Sequence, residues 1–225
     1  MTVRLLPIFP LPLVLLPSVP LPLHIFEPRY RQMLADCTGA GRFAGGDGFG
    51  IVFSEGVERS LPADCVGCVA HVESVDRLPD GRSNILVVGG TRFVLQCLRD
   101  APEPYDVGEV RVFTDDAPAD PAALLALDQR VRSRFGRVAR AAGVLAGDTD
   151  LAPTLPGDPA LLSFAIAATL DLDMSARQRL LQVRDAGARL LEVDMLLARV
   201  VEDIEERAEV HQRASTNGHG RTGHA

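Results

Sequence analysis

The segment that most constrains the fold is a run of apolar residues and prolines near the start of the chain, LLPIFPLPLVLLPSVPLPLHI at residues 5–25. Its length would suit a membrane-spanning helix, which needs about 20 apolar residues without interruption. Each proline removes an N–H donor and clashes with the preceding turn, so the run cannot form a stable helix. It therefore predicts extended strands across a core, with prolines at strand ends and edges where no ladder donor is needed. These prolines are Pro7, Pro10, Pro12, Pro17, Pro20 and Pro22.

The same run does not have the features of a secretion signal. Arg4 is the only side-chain charge before it, prolines interrupt its apolar part, and no small-x-small cleavage site follows His24. We therefore expect neither a membrane span nor secretion. Without a secretion signal, cysteines fit a reduced cytoplasmic protein better than a disulfide framework. The cysteines are Cys37, Cys65, Cys68 and Cys97.

The charge balance limits the classes of partner. The chain has 225 residues and a formal net charge of −7, and all 23 of its basic residues are Arg. Binding to nucleic acid depends on clustered positive charge, so this acidic balance argues against a general affinity for it. Arg29, Arg31, Arg42 and Arg92 remain candidates for a local basic cluster. With 47% hydrophobic residues, the chain has enough apolar material for one or two packed domains.

The first half of the chain, residues 1–117, is typical of a β-rich domain. Apolar and β-branched residues predict strands at 49–54, 65–78 and 107–113, and Gly89-Gly90 predicts a turn between two further strands. Pro79-Asp80-Gly81-Arg82 predicts another tight turn. Between Glu27 and Cys37, a first-turn Pro and helical spacing predict one short helix. The glycine-rich residues 39–48 lack the Gly-Lys-Ser/Thr ending of a phosphate loop, so we interpret them as a solvated loop.

The second half, residues 118–213, is predicted to be helical. Asp120-Pro121 and Asp158-Pro159 are N-cap pairs that open helices toward about Ala142 and Leu170. Ser175 and Gln178 form a capping box that opens a long helix toward Val210. Residues 214–225 are polar and glycine-rich, which predicts a disordered tail.

The long predicted helix has one apolar stripe at steps of three and four residues. Asp185 and Arg189 are spaced for an exposed ion pair across one turn. The stripe consists of Leu180, Leu181, the stem of Arg184, Ala188, Leu191, Met195 and Ala198.

Several longer stretches carry a family resemblance: FPLPLVLLPSVPLPLHIFEPRYRQML at 9–34, VGCVAHV at 66–72, GGTRFVL at 89–95, LLSFAIAATLDLD at 161–173 and RQRLLQVRDAGARLLEV at 177–193. In this order they resemble the Lon N-terminal (substrate-binding) domain family, over almost the whole chain except its tail. The resemblance implies an α+β fold, with a PUA-like β pseudo-barrel of about six strands and a short helix followed by a C-terminal helical bundle.

The absence of Lys bears on the activities of that family. A Walker phosphate loop needs a Lys on the β- and γ-phosphates, and the family's protease uses a Ser–Lys dyad. With no Lys, this chain supports neither site. We therefore expect a stand-alone version of the recognition domain that is not an enzyme, with no catalytic, cofactor or metal residue assigned.

Cys65 and Cys68 form the sharpest short motif, a CxxC. A structural zinc site needs four ligands, and Cys97 and His71, the other nearby candidates, do not have the required spacing. A redox CxxC opens a helix, whereas this one enters a strand, where its two side chains point to opposite faces. We interpret both as small apolar side chains of a barrel strand, with a thiol or zinc protein as the alternative.

Other polar clusters are weaker candidates. His24 and Glu27 lack a nucleophile or oxyanion signature, so we interpret Glu27 and Arg29 as polar residues that fix the strand-to-helix turn. The acid pairs resemble metal ligands only loosely, and the late histidines favour at most adventitious metal binding. These groups are Asp115 with Asp116, Asp171 with Asp173, and His211, His219 and His224.

Three functions follow as hypotheses. The first is a non-catalytic module that binds unfolded or hydrophobic polypeptide segments, as an adaptor or regulator of proteolysis, through apolar burial and strand-edge hydrogen bonds. Its contacts are expected on barrel-edge strands and loops such as 39–48, without individual residues assigned. The second is RNA binding, by analogy with other PUA-like folds. The third is an enzyme or a thiol–metal protein that uses Cys65 and Cys68.

Overall fold

A computed structural model describes residues 3–39, 41–43, 48–55, 61–147 and 154–217. The chain divides into two compact units. Met1–Asp115 and Ala167–Arg184 form the barrel unit, and Asp116–Ile166 and Asp185–Ala225 form the helical unit. The sequence predicts a single boundary at residue 117. In the structure, the later segment 167–184 also belongs to the barrel unit. Of the predicted tail, residues 214–217 continue the last helix, and residues 218–225 lie outside the described residues.

The described part of the barrel unit contains one sheet of six strands in the order β2-β5-β4-β3-β1-β6. An additional β5–β6 pairing closes five of the strands into a ring, and β2 lies against β5 outside that ring. The strands are β1 (Val3–Leu11), β2 (Pro20–Ile25), β3 (Phe49–Phe53), β4 (Val66–Arg77), β5 (Ser83–Arg99) and β6 (Asp106–Phe113). The expected sheet of about six strands is confirmed, with five of them in the closed ring.

The prolines of the first strands lie where the ladder can tolerate them. The first part of β1 pairs with β6 and its last part pairs with β3, so most of the strand has one neighbour at a time. Pro7 lies opposite Val107 and Pro10 opposite Val52. Because one side of the strand is open at each of these positions, the missing N–H removes no necessary bond. This confirms the extended interpretation of the proline-rich run.

The centre of the barrel unit is apolar. Its buried cluster packs the Phe93 ring against two close backbone approaches, since a Cβ built on Gly67 would lie 2.4 Å from that ring and one on Gly50 would lie 2.7 Å from it. These glycines therefore leave the space that the ring fills. The cluster consists of Leu6, Ile8, Val52, Val69, Phe93, Leu95 and Val110.

The predicted turn at Gly89-Gly90 is wrong, because β5 continues through both residues as one strand of 17 residues. A Cβ on Gly89 would lie 2.0 Å from the backbone oxygen of Leu16, and one on Gly90 would lie 2.1 Å from Nε2 of His71. The two glycines therefore mark close approaches of neighbouring groups within a strand, not a reversal of the chain.

Two helices accompany the strands in this unit. Helix α1 (Pro28–Thr38) begins at the predicted first-turn Pro. Helix α4 (Met174–Gln182) begins at Asp173, whose carboxylate accepts a hydrogen bond from the backbone N–H of Ala176 at 2.6 Å. The predicted capping box at Ser175 is therefore wrong, because the acid two residues earlier already occupies the N-cap position.

The buried side chain of Arg92 holds the end of α4 against the strands. Its Nη1 group donates to the backbone oxygens of Leu181 at 2.9 Å and Val183 at 2.7 Å, and its Nη2 group donates to the Asp115 carboxylate. The guanidinium also lies 4.7 Å from the centre of the Phe113 ring. These carbonyls lie at the helix end, where the helix itself leaves oxygens without partners.

The helical unit is formed around helices α2 (Pro121–Ala146) and α5 (Ala186–Asn217), with most of α3 (Pro159–Thr169). Asp120 caps α2 and Asp158 accepts from the N–H of Ala160, as predicted. Helices α2 and α5 run parallel, because Arg130 and Arg134 reach Asp194 while the later Arg137 reaches Glu205.

The single long helix predicted from Ser175 is wrong, since residues 183–185 separate α4 from α5. The Asp185 side chain accepts from the N–H of Ala188 and opens α5. The predicted exposed pair of Asp185 and Arg189 is also wrong. Arg189 has 0% exposure and donates to Ala160 O at 2.8 Å and Ser163 Oγ at 3.1 Å.

Candidate functional site

An exposed surface of the barrel unit lies on the side of β2, β5 and β4 that faces away from the core. We call it the outer sheet face. Side chains directly opposite each other in an antiparallel pair lie on the same side of a sheet, so the strand register defines its members. They are Pro20, Pro22 and His24 on β2, Val88, Leu86 and Asn84 on β5, and His71, Ser74 and Asp76 on β4.

One part of the outer sheet face is apolar. Pro22 lies opposite Leu86, which is 37% exposed, and Pro20 lies opposite Val88. Phe26, directly after β2, is 58% exposed, and its ring stacks on the His24 ring at 6.0 Å between centroids. Exposed apolar side chains therefore lie on both sides of His24, and a group of such side chains on one face is typical of a surface that binds another molecule.

The other part of this face is polar. His24 donates from Nδ1 to Oδ1 of Asn84 at 2.7 Å, and Asn84 lies opposite Asp76 on the next strand. This row lies between the Pro22–Leu86 pair and Phe26, and it contains a carboxylate at its far end. The face therefore presents apolar side chains beside hydrogen-bonding groups, an arrangement that suits a polypeptide better than a purely apolar ligand.

The free edge of β2 has few hydrogen-bond donors. Among the described strands, β2 pairs only with β5, and that pairing continues through Pro20 and Pro22. Neither proline has an N–H, so a strand added to this edge would find carbonyl acceptors there without matching donors. The geometry favours contact through the outer sheet face over extension of the sheet.

The two cysteines of the CxxC motif do not form a reactive site. Cys65 precedes β4 and is half-buried, whereas Cys68 lies within the strand with 0% exposure and has its Sγ 3.4 Å from the backbone oxygen of Gly90. Burial raises the pKa of Cys65 to about 11 and that of Cys68 to about 12. Both groups are therefore thiols at neutral pH, the form that is neither nucleophile nor metal ligand.

The other candidates have structural partners or lie apart. The Glu27 carboxylate accepts from Nε of Arg29 at 2.9 Å beside the start of α1, as the sequence interpretation suggested. Asp115 binds Arg92, Asp173 caps α4, and His211 is exposed on α5. His219 and His224 lie outside the described residues. In the described ranges, no three His, Cys, Asp or Glu side chains are placed to hold a metal ion.

Three of the four arginines proposed for RNA binding are engaged by acids or carbonyls. Arg92 is buried, Arg42 pairs with Glu103 at 2.8 Å, and Arg29 pairs with Glu27 at 2.9 Å. A phosphate would have to displace these partners, so the structure lacks the ready cluster that the RNA hypothesis requires.

None of the helices within the described residues has both the length and the apolar character needed to span a membrane. This finding agrees with the proline argument for residues 5–25, which form strands and connecting segments.

A family model described as the ATP-dependent protease La (LON) substrate-binding domain matches residues 5–199. The chain belongs to this family. The match covers both the strands and most of the helices, so the resemblance seen in the sequence is confirmed. The domain is the substrate-binding part of Lon, and neither its ATPase nor its protease part.

The curated relatives of this Lon-family chain are Lon proteases. Lon protease 2 of Herpetosiphon aurantiacus is 30% identical over 141 residues, which are 62% of this chain and 17% of that protein. The Lon protease of Cytophaga hutchinsonii is 24% identical over 219 residues, which are 94% of this chain and 26% of that protein. The chain thus spans about a quarter or less of the length of these relatives.

Solved structures show the same fold. A Lon N-terminal domain protein from Xanthomonas campestris has a TM-score of 0.59 and 27% identity, covering 84% of this chain and 96% of that chain. The N-terminal domain of the Mycobacterium avium complex Lon protease has a TM-score of 0.59 and 17% identity, covering 87% and 98%. The α+β fold expected from the sequence is therefore confirmed.

The sequence alone assigns no individual residues to a binding surface. Phe26 is part of the family pattern, but the sequence gives no sign that its ring is exposed beside His24, or that Leu86, 60 residues later, lies on the same face. The alternation of Pro20, Pro22 and His24 was the available signal, because every second residue of a strand lies on one side.

Proposed function

We propose that this Lon-family domain is a non-catalytic module that binds apolar segments of unfolded polypeptides on its outer sheet face. The observation that carries the proposal is the exposed apolar part of that face, Phe26 with Leu86 and the β2 prolines, in a domain whose family binds protein substrates. We further propose a cytoplasmic role as an adaptor or regulator of proteolysis, which the four free cysteines support.

The size of the exposed surface suits reversible binding. Covering about 400 Å² of apolar surface gives roughly 10 kcal/mol at 25 cal/mol per Å². Association entropy and ordering of the segment offset a large part of this, which leaves affinities of about millimolar order. Such affinity is appropriate for a module that samples many segments and releases them.

The mode of contact follows from the β2 edge. Because Pro20 and Pro22 offer no donors, a bound segment is held mainly by its side chains on Phe26 and Leu86. The polar row of His24 and Asn84, which lies between these two apolar contacts, then supplies hydrogen bonds to the bound segment. Peptides methylated on their backbone nitrogens should therefore retain most of their affinity, whereas strand addition would require those N–H groups.

The direct test is binding of a fluorescent, permanently unfolded polypeptide, measured by anisotropy. We expect Phe26→Ser and Leu86→Ser each to weaken binding by about tenfold, since each removes apolar area from the contact. Val3→Ser is the matched control, because Val3 is 51% exposed on β1, away from this face, and should bind like the parent.

Two results would contradict the proposal. Binding by the parent no stronger than by an unrelated acidic protein would remove the polypeptide-binding function. Equal losses in the Phe26, Leu86 and Val3 variants would place binding elsewhere. The regulatory role has a separate test, the degradation rate of the same unfolded polypeptide by a Lon protease with and without this chain. An unchanged rate would reject the role in proteolysis.

A further inference from the structure

Helix α5 has an apolar stripe that the barrel unit's proposed function does not use. The sequence predicted one stripe over α4 and α5, and the structure divides it. Leu180 and Leu181 in α4 are buried, whereas Leu191 is 46% exposed and Met195 is 55% exposed. The buried side of α5 instead contains Leu190, Val193, Leu197 and Val201.

This exposed stripe has the spacing of a coiled-coil seam. Ala188, Leu191, Met195 and Ala198 follow one another at steps of three, four and three residues, the repeat that lets two helices pack along a line. Asp194, the residue directly before Met195, faces α2 through its bonds to Arg130 and Arg134. The stripe is therefore on a different side of α5 from its contact with α2 and is open to a second helix.

Two charges border the stripe on the side away from α2. Glu192 and Arg199 are seven residues apart, two turns of the helix, so they lie on the same flank about 10 Å from each other. That distance is too long for a bond within one helix. Within the described residues, neither side chain has an ion-pair partner, whereas Asp203 pairs with Arg207 and Glu205 with Arg137.

We infer that this stripe binds the same stripe of a second copy of the chain, with the two α5 helices antiparallel. A two-fold axis beside Met195 lies midway between Glu192 and Arg199. Two antiparallel helices bring the same flank of each together, so Glu192 of each copy meets Arg199 of the other. The dimer contact thus contains two Glu192–Arg199 ion pairs, one on each side of the two-fold axis, and it covers Leu191 and Met195 of both copies. This self-complementary charge pattern identifies a second copy as the occupant.

The contact is small and should be reversible. One pair of helices with a short seam buries less surface than a standard stable interface, so we expect a dimer that dissociates on dilution. The inference is independent of the polypeptide-binding function, because it concerns side chains of the helical unit alone.

Sedimentation of the full chain over a concentration series, with a charge-swap cycle, tests this pairing. The parent should show a reversible monomer–dimer equilibrium. Glu192→Arg and Arg199→Glu alone each place like charges together twice and should weaken dimerisation by about tenfold or more. The combined Glu192→Arg/Arg199→Glu variant should regain the parent's dimer, because the attraction is restored with reversed sign.

A second variant separates pairing from folding. Met195→Glu places a carboxylate at the two-fold axis and should give monomers, with a helical circular dichroism spectrum like that of the parent. Val210→Glu, an equally exposed position on another part of α5, should leave the dimer intact. A parent that stays monomeric at every concentration would overturn the inference, as would single charge reversals that still dimerise or a double variant that fails to recover.

Discussion

The core cluster of the barrel unit contains only apolar side chains, and its buried Arg92 lies outside that cluster, whereas several of the most buried side chains of the helical unit are charged. Around Phe93, the barrel cluster contains only aliphatic and aromatic groups. In the helical unit, Arg189 has 0% exposure, Asp194 6% and Asp128 7%. The barrel interior therefore depends on the fit of apolar shapes, and the helical interior depends on satisfying each buried polar group.

The chemistry of arginine explains how charges can occupy a helical interior. The guanidinium of Arg189 donates to a carbonyl and a hydroxyl of α3, and its Cζ atom lies 4.4 Å from the centre of the Phe164 ring. Such a planar, multiply donating group can satisfy several acceptors and still pack against an aromatic ring. In a chain whose basic residues are all Arg, this is the available way to link helices through polar contacts.

Removing a ring from the barrel core should have the largest effect. Phe93→Ala leaves a cavity bordered by Gly50 and Gly67, and we expect a loss of about 3–5 kcal/mol in the free energy of unfolding. Urea denaturation measures it. The matched control is Phe26→Ala, the same change at a 58% exposed position, which should alter stability by less than about 0.5 kcal/mol. Equal effects would mean that the barrel does not depend on this apolar fit.

Removing a buried arginine should have the next largest effect. Arg189→Ala leaves Ala160 O and Ser163 Oγ without this donor, and we expect a loss of about 2–4 kcal/mol. Arg207→Ala is the control, because that side chain is 69% exposed and its pair with Asp203 is long, at 3.6 Å. A negligible change in the free energy of unfolding of Arg189→Ala would show that the helical interior tolerates unsatisfied acceptors. The helical unit would then not depend on satisfying each buried polar group.

Neutralising a buried acid should cost less. Asp194→Asn retains the shape but removes the charge that Arg130 and Arg134 contact, and we expect a loss of about 1–2 kcal/mol. The loss is limited because both arginines reach solvent and can rehydrate. Asp203→Asn, at a 71% exposed side chain, provides the comparison and should be close to neutral.

Short sequence motifs predicted where helices start better than where they are interrupted. Asp120-Pro121, Asp158-Pro159 and Pro28 act within one turn, so short stretches of sequence contain the whole cause. The interruption at residues 183–185 depends on Arg92, whose guanidinium takes the freed carbonyls of Leu181 and Val183 from about 90 residues away in the chain. No pattern within the helical segment contains that information.

The candidate surface shows the same limit. Alternation predicts which side of β2 a residue occupies, and the prolines indicate an edge. Whether Phe26 is buried or exposed depends on what packs beside it, and Leu86 and Asn84 reach this face only through the β2–β5 register. The pairing of strands that are distant in the chain therefore determines which residues form this face. The local sequence pattern determines only the side of β2 on which each residue lies.

The smallest expected effect concerns an exposed ion pair between α2 and α5. Glu205 accepts hydrogen bonds from Arg137 at 2.8 and 2.6 Å, and these lower the pKa of its carboxyl below the ordinary value of 4.5. A lowered folded-state pKa means that the pair's contribution is fully present above 4.5 and is lost as the pH falls through the folded-state value. The stability difference between the parent and Glu205→Gln should therefore shrink on acidification from neutral pH to well below 4.5.

The pH dependence distinguishes this pair from the general effect of acid. Glu206→Gln removes an exposed carboxylate of the same helix that has no ion-pair partner within the described residues, and its difference from the parent should change less with pH. If both variants show the same dependence, the α2–α5 contact depends on net charge and not on the Arg137 pair. The helical unit's reliance on individual Arg–acid bonds would then be confined to its buried side chains, where solvent cannot replace a lost partner.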